Sequence, residues 1–343
     1  MLLVVVLAAA AWLQAPGATA FRLALPGYRF SFPRDHYCHP EFRTEWWYVT
    51  GHLRSPQGHA FGYQVTFFRS ALKGARSADS SRQIYFAHFA LGDIQGKRFR
   101  HFERTSRGGL GLAGSSPERL WVWNGSWLLK GRQHPERIRS EAGGINLDLA
   151  LTPLKKPVIQ GQNGISRKGP GLGHASHYYS LTRLRSRGAL TVGGRRFEVD
   201  GLSWMDHEFS SDALSPDEVG WDWFSIQLED GTDLMLYAMR LKNGSAAPAS
   251  SGSLVDATGA KRHLPLSGFR ILRRGTWHSP HSGAVYPSGW RVSIPSQGME
   301  MDVTPRLQDQ ELLAGQGRMT YWEGACRVTG TRQGRPMKGQ AYV

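Results

Sequence analysis

The chain has 343 residues with 12 tryptophans, 41 glycines and a formal charge of +15, which is enough length for two ordinary domains or one large one. Its 42 basic residues outnumber 27 acidic ones but are scattered, with no run longer than two. No RNP-like box, zinc-finger spacing or recognition-helix pattern accompanies them, so a nucleic-acid partner is not expected, while an anionic membrane surface or an acidic ligand stays open. There is also no G-x-S-x-G elbow, H-E-x-x-H pair, P-loop or dinucleotide fingerprint set between strand and helix, which argues against a serine hydrolase, zincin, NTPase or Rossmann enzyme and predicts no cofactor.

Residues 1–20 read as a secretory leader. Leu2 to Leu13 is an apolar run too short to span comfortably, and Ala18-Thr19-Ala20 is an A-x-A cleavage site. No Lys or Arg precedes the run, so removal as a signal peptide and retention as an anchor both stay open; either predicts a periplasmic or secreted protein. The two cysteines, Cys38 and Cys326, are in such a compartment either a bridge between the chain's ends or two separate thiols. His36, Cys38 and His39 form a small cluster of ligand types, but no second group at zinc spacing joins them, and no metal is expected.

From Phe30 onward the text is short strands and turns. Glu45–Arg54, Ala60–Ser70 and Ile84–Asp93 alternate aromatic and β-branched residues with polar ones. Leu120–Trp123, Trp127–Leu129 and Ile145–Leu151 continue the pattern, Pro153–His174 reads as a long loop, and His177–Arg185 and Ala189–Val199 follow, joined by a turn at Ser186-Arg187-Gly188. Pro135–Ser140 and Arg306–Leu313 are the only weak helical stretches. Glu229-Asp230-Gly231 is the turn of a hairpin over Phe224–Leu241, and further strands are predicted at Ser253–Val255, Phe269–Arg273, Gly289–Ile294, Met299–Thr304 and Thr320–Thr329. Even spacing with almost no helix predicts antiparallel barrels or sandwiches in two units, 21–199 and 200–343.

The densest chemistry lies in Gly201–Phe224. Alternation along a strand puts Trp204, Asp206 and Glu208 on one face and Met205 and His207 on the other. A carboxyl beside indole in a dry site holds its proton and can act as a general acid; the same carboxyls paired to arginines would be structural. In Gly220–Phe224, Asp222 points opposite to Trp221 and Trp223, either as a site carboxylate or as a structural one beneath core rings. Glu45-Trp46-Trp47-Tyr48, with His52, Arg69 and His88, supplies rings suited to an apolar ligand or to an ordinary core. In His177–Arg183, Tyr179, Leu181 and Arg183 share one face and Tyr178, Ser180 and Thr182 the other, and either tyrosine is placed to orient a water.

The runs EWWYVTGHL (Glu45–Leu53), AHFALGD (Ala87–Asp93), HYYSLTRL (His177–Leu184), V-x-G-x-S-W-M-D-H-E-F (Val199–Phe209), GWDWFSIQL (Gly220–Leu228) and WEGACRVTG (Trp322–Gly330) resemble the AttH-like and carotenoid 1,2-hydratase (CrtC-like) family across nearly all of Phe30–Val343. The resemblance implies an all-β protein of two consecutive lipocalin-like antiparallel β-barrel domains, with activities that vary across the family. Hydratase chemistry in that family implies Asp206 as proton donor to an alkene, with His207, Glu208 and Asp222 as further catalytic candidates. Trp46, Trp47, Tyr48, His88, Tyr178, Tyr179, Trp204, Trp221 and Trp223 are the expected lining for a hydrophobic, isoprenoid- or lipid-like molecule. The rival expectation is a periplasmic carrier of a hydrophobic ligand, working with a membrane surface or an ABC-type envelope transporter, which needs the rings and not the acid.

Overall fold

The structure is a computed structural model that describes residues 21–72, 80–211, 217–313 and 320–343; the expected leader at 1–20 lies outside the described residues. The strands of the first half are β1 (Thr44–Arg54), β2 (Ala60–Ala71), β3 (Gln83–Asp93), β4 (Arg98–Arg107), β5 (Ala113–Ser115), β6 (Leu120–Asn124), β7 (Trp127–Gly131), β8 (Arg137–Ala142), β9 (Ile145–Pro153), the short β10 (Val158–Ile159) and β11 (Ser166–Arg167), then β12 (Ala175–Val192) and β13 (Arg195–Ser210). They form one antiparallel sheet in the order β4-β3-β2-β1-β13-β12-β9-β8-β7-β6-β5, with β10 and β11 laid on β12. The second half holds β14 (Glu218–Leu228), β15 (Asp233–Leu241), β16 (Ser251–Val255), β17 (Lys261–Pro265), β18 (Arg270–Arg273), β19 (Thr276–His278), β20 (Val285–Pro287), β21 (Trp290–Ile294), β22 (Met299–Pro305), β23 (Glu311–Leu312), β24 (Tyr321–Trp322), β25 (Ala325–Arg332) and β26 (Arg335–Tyr342). Its main sheet runs β17-β16-β15-β14-β26-β25-β22-β21-β18. The fold is all-β: two curled antiparallel sheets, with the small pairs β19-β20 and β23-β24 and, among the described residues, short 3-10 turns besides.

Each sheet closes on itself through side chains. In the first, Asn124 at the end of β6 donates to the Tyr85 carbonyl of β3 at 3.1 Å and accepts from Ser106 of β4 at 2.9 Å. In the second, Arg273 of β18 donates to Asp222 of β14 at 2.5 Å, bridging strands that the backbone leaves unpaired. Inside the first curl lie Trp47, Val49, Val65, Phe89, Trp127, Leu147, Tyr179 and Met205, all essentially inaccessible. Phe224, Ile226, Trp290, Val292, Met301 and Val328 fill the second. Cys38 belongs to the first core and Cys326 to the second; both are free thiols, so they do not bridge the chain's ends.

Four expectations are corrected. The stretch Ser186–Gly188 is not a turn but the middle of β12, paired with Gly201, Asp200 and Val199, and the hairpin turns instead at Gly193-Gly194 with φ of 57° and 79°, the doubly left-handed geometry that glycine pairs accept. Gly188 serves a close approach: a Cβ there would sit 2.1 Å from the Asp148 carbonyl oxygen. Second, β13 runs unbroken across Val199 and Asp200, so the passage from first sheet to second falls between Ser210 and Glu218 and not at 199–200. Third, Pro135–Ser140 runs into strand β8, and Arg306–Leu313 is a link ending in β23; neither is helical. Fourth, β12 carries a bulge between Leu181 and Leu184. It returns Leu184 to the core and turns Arg183 outward together with Thr182, away from Tyr179 and Leu181.

That bulge joins the two sheets. Thr182 and Arg183, with Lys155, converge on the fully buried Asp233 at the start of β15, at 2.8, 2.7 and 2.7 Å. Gln227 of β14 donates to the carbonyls of Thr182 and Ser203 at 2.7 and 3.0 Å. The outer face of β12-β13-β1 is therefore covered by the second sheet, which is why Ser203 to Ser210 is buried on both faces.

Candidate active site

In the seam between the sheets, the even-numbered face of β13 meets that of β12. Asp206, 4 % exposed, accepts from Tyr178 at 2.7 Å, Ser180 at 2.5 Å and the Trp204 indole at 2.7 Å. Three donors favour the carboxylate, yet burial outweighs them, and with Glu208 nearby the group is pushed up to about 7. Trp223 of β14 reaches in from the second sheet, donating to the Tyr178 hydroxyl at 3.3 Å and standing edge-on to Tyr48 and Trp204 at 5.1 and 6.4 Å between ring centroids. Met235, Tyr237 and Met239 of β15 complete an apolar wall with Tyr178 and Trp204.

Glu208, two residues along, is charge-paired. It accepts from Ser176 and lies 2.8 Å from Lys168 Nζ, and that ammonium also sits over the rings of Tyr237 and Tyr178 at 4.9 and 5.4 Å. Glu208 therefore fixes a cation at one end of the seam. Trp46 is half-buried on the same face, opposite Glu208 on β13 and Phe68 on β2. Tyr48 lies directly opposite Asp206, and its hydroxyl donates to Glu323, in the link between β24 and β25. His88 Nδ1 lies 2.8 Å from the Tyr321 hydroxyl, which also accepts from Gln64 at 3.2 Å. Trp221 shares the Trp223 face but stands 41 % exposed at the outer end.

The structure separates the remaining predicted residues from Asp206. His207, Tyr179 and Trp47 point to the other face, into the first curl. There His207 stacks on Trp47 at 4.8 Å and contacts Glu45 at 2.9 Å. Glu45 is fully enclosed and also takes His39 at 2.8 Å and Arg69 at 3.2 Å; His39 in turn reaches Asp35 at 3.1 Å. His39 is pulled upward by its two carboxylate partners against the desolvating effect of burial, and Glu45 is held far below the usual carboxylate range. His39, Glu45 and His207 offer donor atoms within 4.8 Å of one another, but both His39 nitrogens already face carboxylates and Glu45 already faces Arg69. This is a saturated ion-pair network that fastens residues 28–43 over the end of the curl. Asp222 also leaves the site: it faces away from Trp221 and Trp223 and pairs with Arg273, with Arg240 at 3.9 Å.

Sequence reasoning missed Lys168, Gln64, Tyr321, Glu323 and Tyr342. Lys168 sits in a stretch whose only message was loop. Glu323 had a signal, an acid between Trp322 and the apolar run after Gly324, but nothing in linear order brings it to Tyr48.

Two barrel-like sheets enclosing an aromatic seam with a carboxyl poised near neutrality define a lipocalin-like, site-bearing class of protein. Within it, the chain belongs to the AttH-like family, whose model matches residues 23–343. The crystal structure of a putative AttH from Nitrosomonas europaea is similar at 36 % identity and a TM-score of 0.83, covering 94 % of this chain and 98 % of that one. Dehydratase asqC of Emericella nidulans is 22 % identical over 262 residues, 73 % of each chain. Kievitone hydratase from Nectria haematococca shares the fold, with a TM-score of 0.72 at 14 % identity over 96 % of this chain and 94 % of that one. Relatives named as a hydratase and a dehydratase are consistent with a hydratase-like role.

Proposed function

We propose that this AttH-like protein is exported and adds water to, or isomerises, an alkene of a hydrophobic, isoprenoid- or lipid-like molecule held in the seam, with Asp206 as the proton donor. The observation that carries the reading is the setting of Asp206: a carboxyl 4 % exposed, bonded by Tyr178, Ser180 and the Trp204 indole, with Trp223 standing against Trp204 and Tyr48, and pushed up to about 7 by that burial. Protonating an alkene carbon forms a C–H bond from the π pair and leaves a cation on the neighbouring carbon. Indole faces stabilise such a cation, and Tyr178, whose hydroxyl touches Asp206, orients the oxygen that captures it. Of the two tyrosines expected to orient that water, Tyr179 faces the other side, as does the catalytic candidate His207. The names of asqC and of the kievitone hydratase related in sequence support the reaction class. The basic surface suits loading from an anionic envelope membrane.

The test is to purify the mature protein from its own cell envelope, extract it with organic solvent and identify the extract by mass spectrometry, beside Asp206→Asn. A single apolar molecule on the wild type, with its unhydrated precursor accumulating on the variant, is the expected result. The same unchanged molecule on both would make the protein a carrier and Asp206 a structural residue.

A further inference from the structure

We propose that Glu323 is the second reacting carboxylate of the seam, taking the proton from the water that captures the cation formed at Asp206. The inference rests on the hydratase reading above and adds to it a residue from the other sheet.

Geometry places Glu323 for this. Its Oε1 accepts the Tyr48 hydroxyl and its Oε2 accepts Gln64 Nε2 at 3.2 Å, and Tyr48 is the residue directly opposite Asp206 across β1 and β13. Among the described residues no Lys, Arg or His contacts its carboxylate. A carboxylate so placed is costly as an anion, and burial with Asp206 nearby pushes it up to about 8. Around it the seam changes character. Thr50 Oγ1, Gln64 Oε1 and the Tyr342 hydroxyl are buried polar atoms without a partner, with their residues 1 %, 1 % and 2 % exposed. Thr50 and Gln64 are directly opposed on β1 and β2, and the Tyr342 hydroxyl lies 3.6 Å from the Cβ position of Gly62, two pairs further on. Buried polar atoms are nearly always satisfied. Three unsatisfied ones in an otherwise aromatic seam that holds a carboxyl are the partners a water or a substrate oxygen would satisfy.

The cycle balances with one proton on the pair: Glu323, at about 8, holds that proton at rest against about 7 for Asp206, so it passes to Asp206 before the alkene is protonated and leaves Glu323 free to act as base. Asp206 gives its proton to the alkene carbon. Water oxygen bonds to the cationic carbon, and the proton it sheds goes to Glu323. The half-buried Glu323 then releases a proton to solvent while Asp206 takes one up, so the net reaction is alkene plus water to alcohol. The titratable groups facing Glu323 are Tyr48 of β1, Asp206 of β13, Tyr321 of β24 and Tyr342 of β26, with His88 and Glu103 behind Tyr321.

The probe is farnesol, an apolar isoprenoid with isolated alkenes and a hydroxyl, incubated in deuterium oxide and separately in heavy-oxygen water, with mass-spectrometric readout. Wild type is expected to incorporate both labels. Asp206→Asn should lose both. Glu323→Gln should keep deuterium wash-in, because a cation formed without capture returns to alkene, while heavy-oxygen incorporation falls about 100-fold or more, the usual scale for a positioned base; Glu323→Asp should restore part of it. An active wild type with Glu323→Gln unchanged would overturn this inference alone, as would loss of both labels in a Glu323→Gln whose near-ultraviolet circular dichroism shows the native fold. An inert wild type would overturn the hydratase reading with it.

Discussion

Tyr178 donates its hydroxyl to Asp206 Oδ2 at 2.7 Å while accepting the Trp223 indole at 3.3 Å, so one phenol ties the acid of the first sheet to a ring of the second. Hydrogen bonds to a carboxylate favour its charged form. Removing this one in Tyr178→Phe should move Asp206 further above about 7, by roughly one pH unit, in a carbon-detected NMR titration of the side-chain carboxyls. An unchanged midpoint would mean that the phenol does not touch the acid in solution.

Asp206 and Glu323 make the fold pH-sensitive in a defined direction. Both native values, about 7 and about 8, lie above the ordinary 3.8 and 4.5, so between those limits the native state binds more protons than the unfolded chain and stability falls as pH rises. The loss begins near pH 4 and is complete above about 8, on the order of 5 kcal/mol per group at most. Urea titrations from pH 5 to 9 should show that slope in wild type and a much flatter one in Asp206→Asn/Glu323→Gln.

Glu45 predicts a stability effect without a catalytic one. Deleting its charge leaves Arg69 and His39 buried beside no counter-ion from that side, and breaking such a network costs about 3–5 kcal/mol. Glu45→Gln should therefore lower the urea midpoint strongly. His207→Gln should also destabilise, yet leave the pH midpoint of Asp206 in place, because it works on the opposite face of β13.

Asp222 makes the contrasting case. Its partner Arg273 is 43 % exposed along the side chain, and pairs of that kind contribute about 1 kcal/mol or less. Asp222→Asn should loosen the junction of β14 and β18, visible as faster amide exchange there, and leave the ligand recovered by extraction unchanged.

How much of this was legible beforehand follows from distance along the chain. Period-two alternation showed Glu45–Arg54, Ala60–Ser70 and Ile84–Asp93 as strands, and it correctly put Asp206 and His207 on opposite faces. Gly188 misled because its demand is a neighbouring strand's carbonyl, a contact with Asp148 forty residues away in the chain. The Arg183 face was misread because a bulge adds a residue that periodicity does not announce.

The sequence by itself determined the all-β character, the two-unit arrangement and the concentration of Asp and Trp around Gly201–Phe224, since each follows from local alternation and composition. Only the tertiary structure decided what each carboxyl meets. Asp206 and Glu208 are two residues apart on one face, but one meets hydroxyls and indole and the other meets Lys168. Glu323 enters the seam from 117 positions beyond Asp206. Protonation answers to burial and to the charges within a few ångströms, and those are supplied by whichever strands the two sheets bring together.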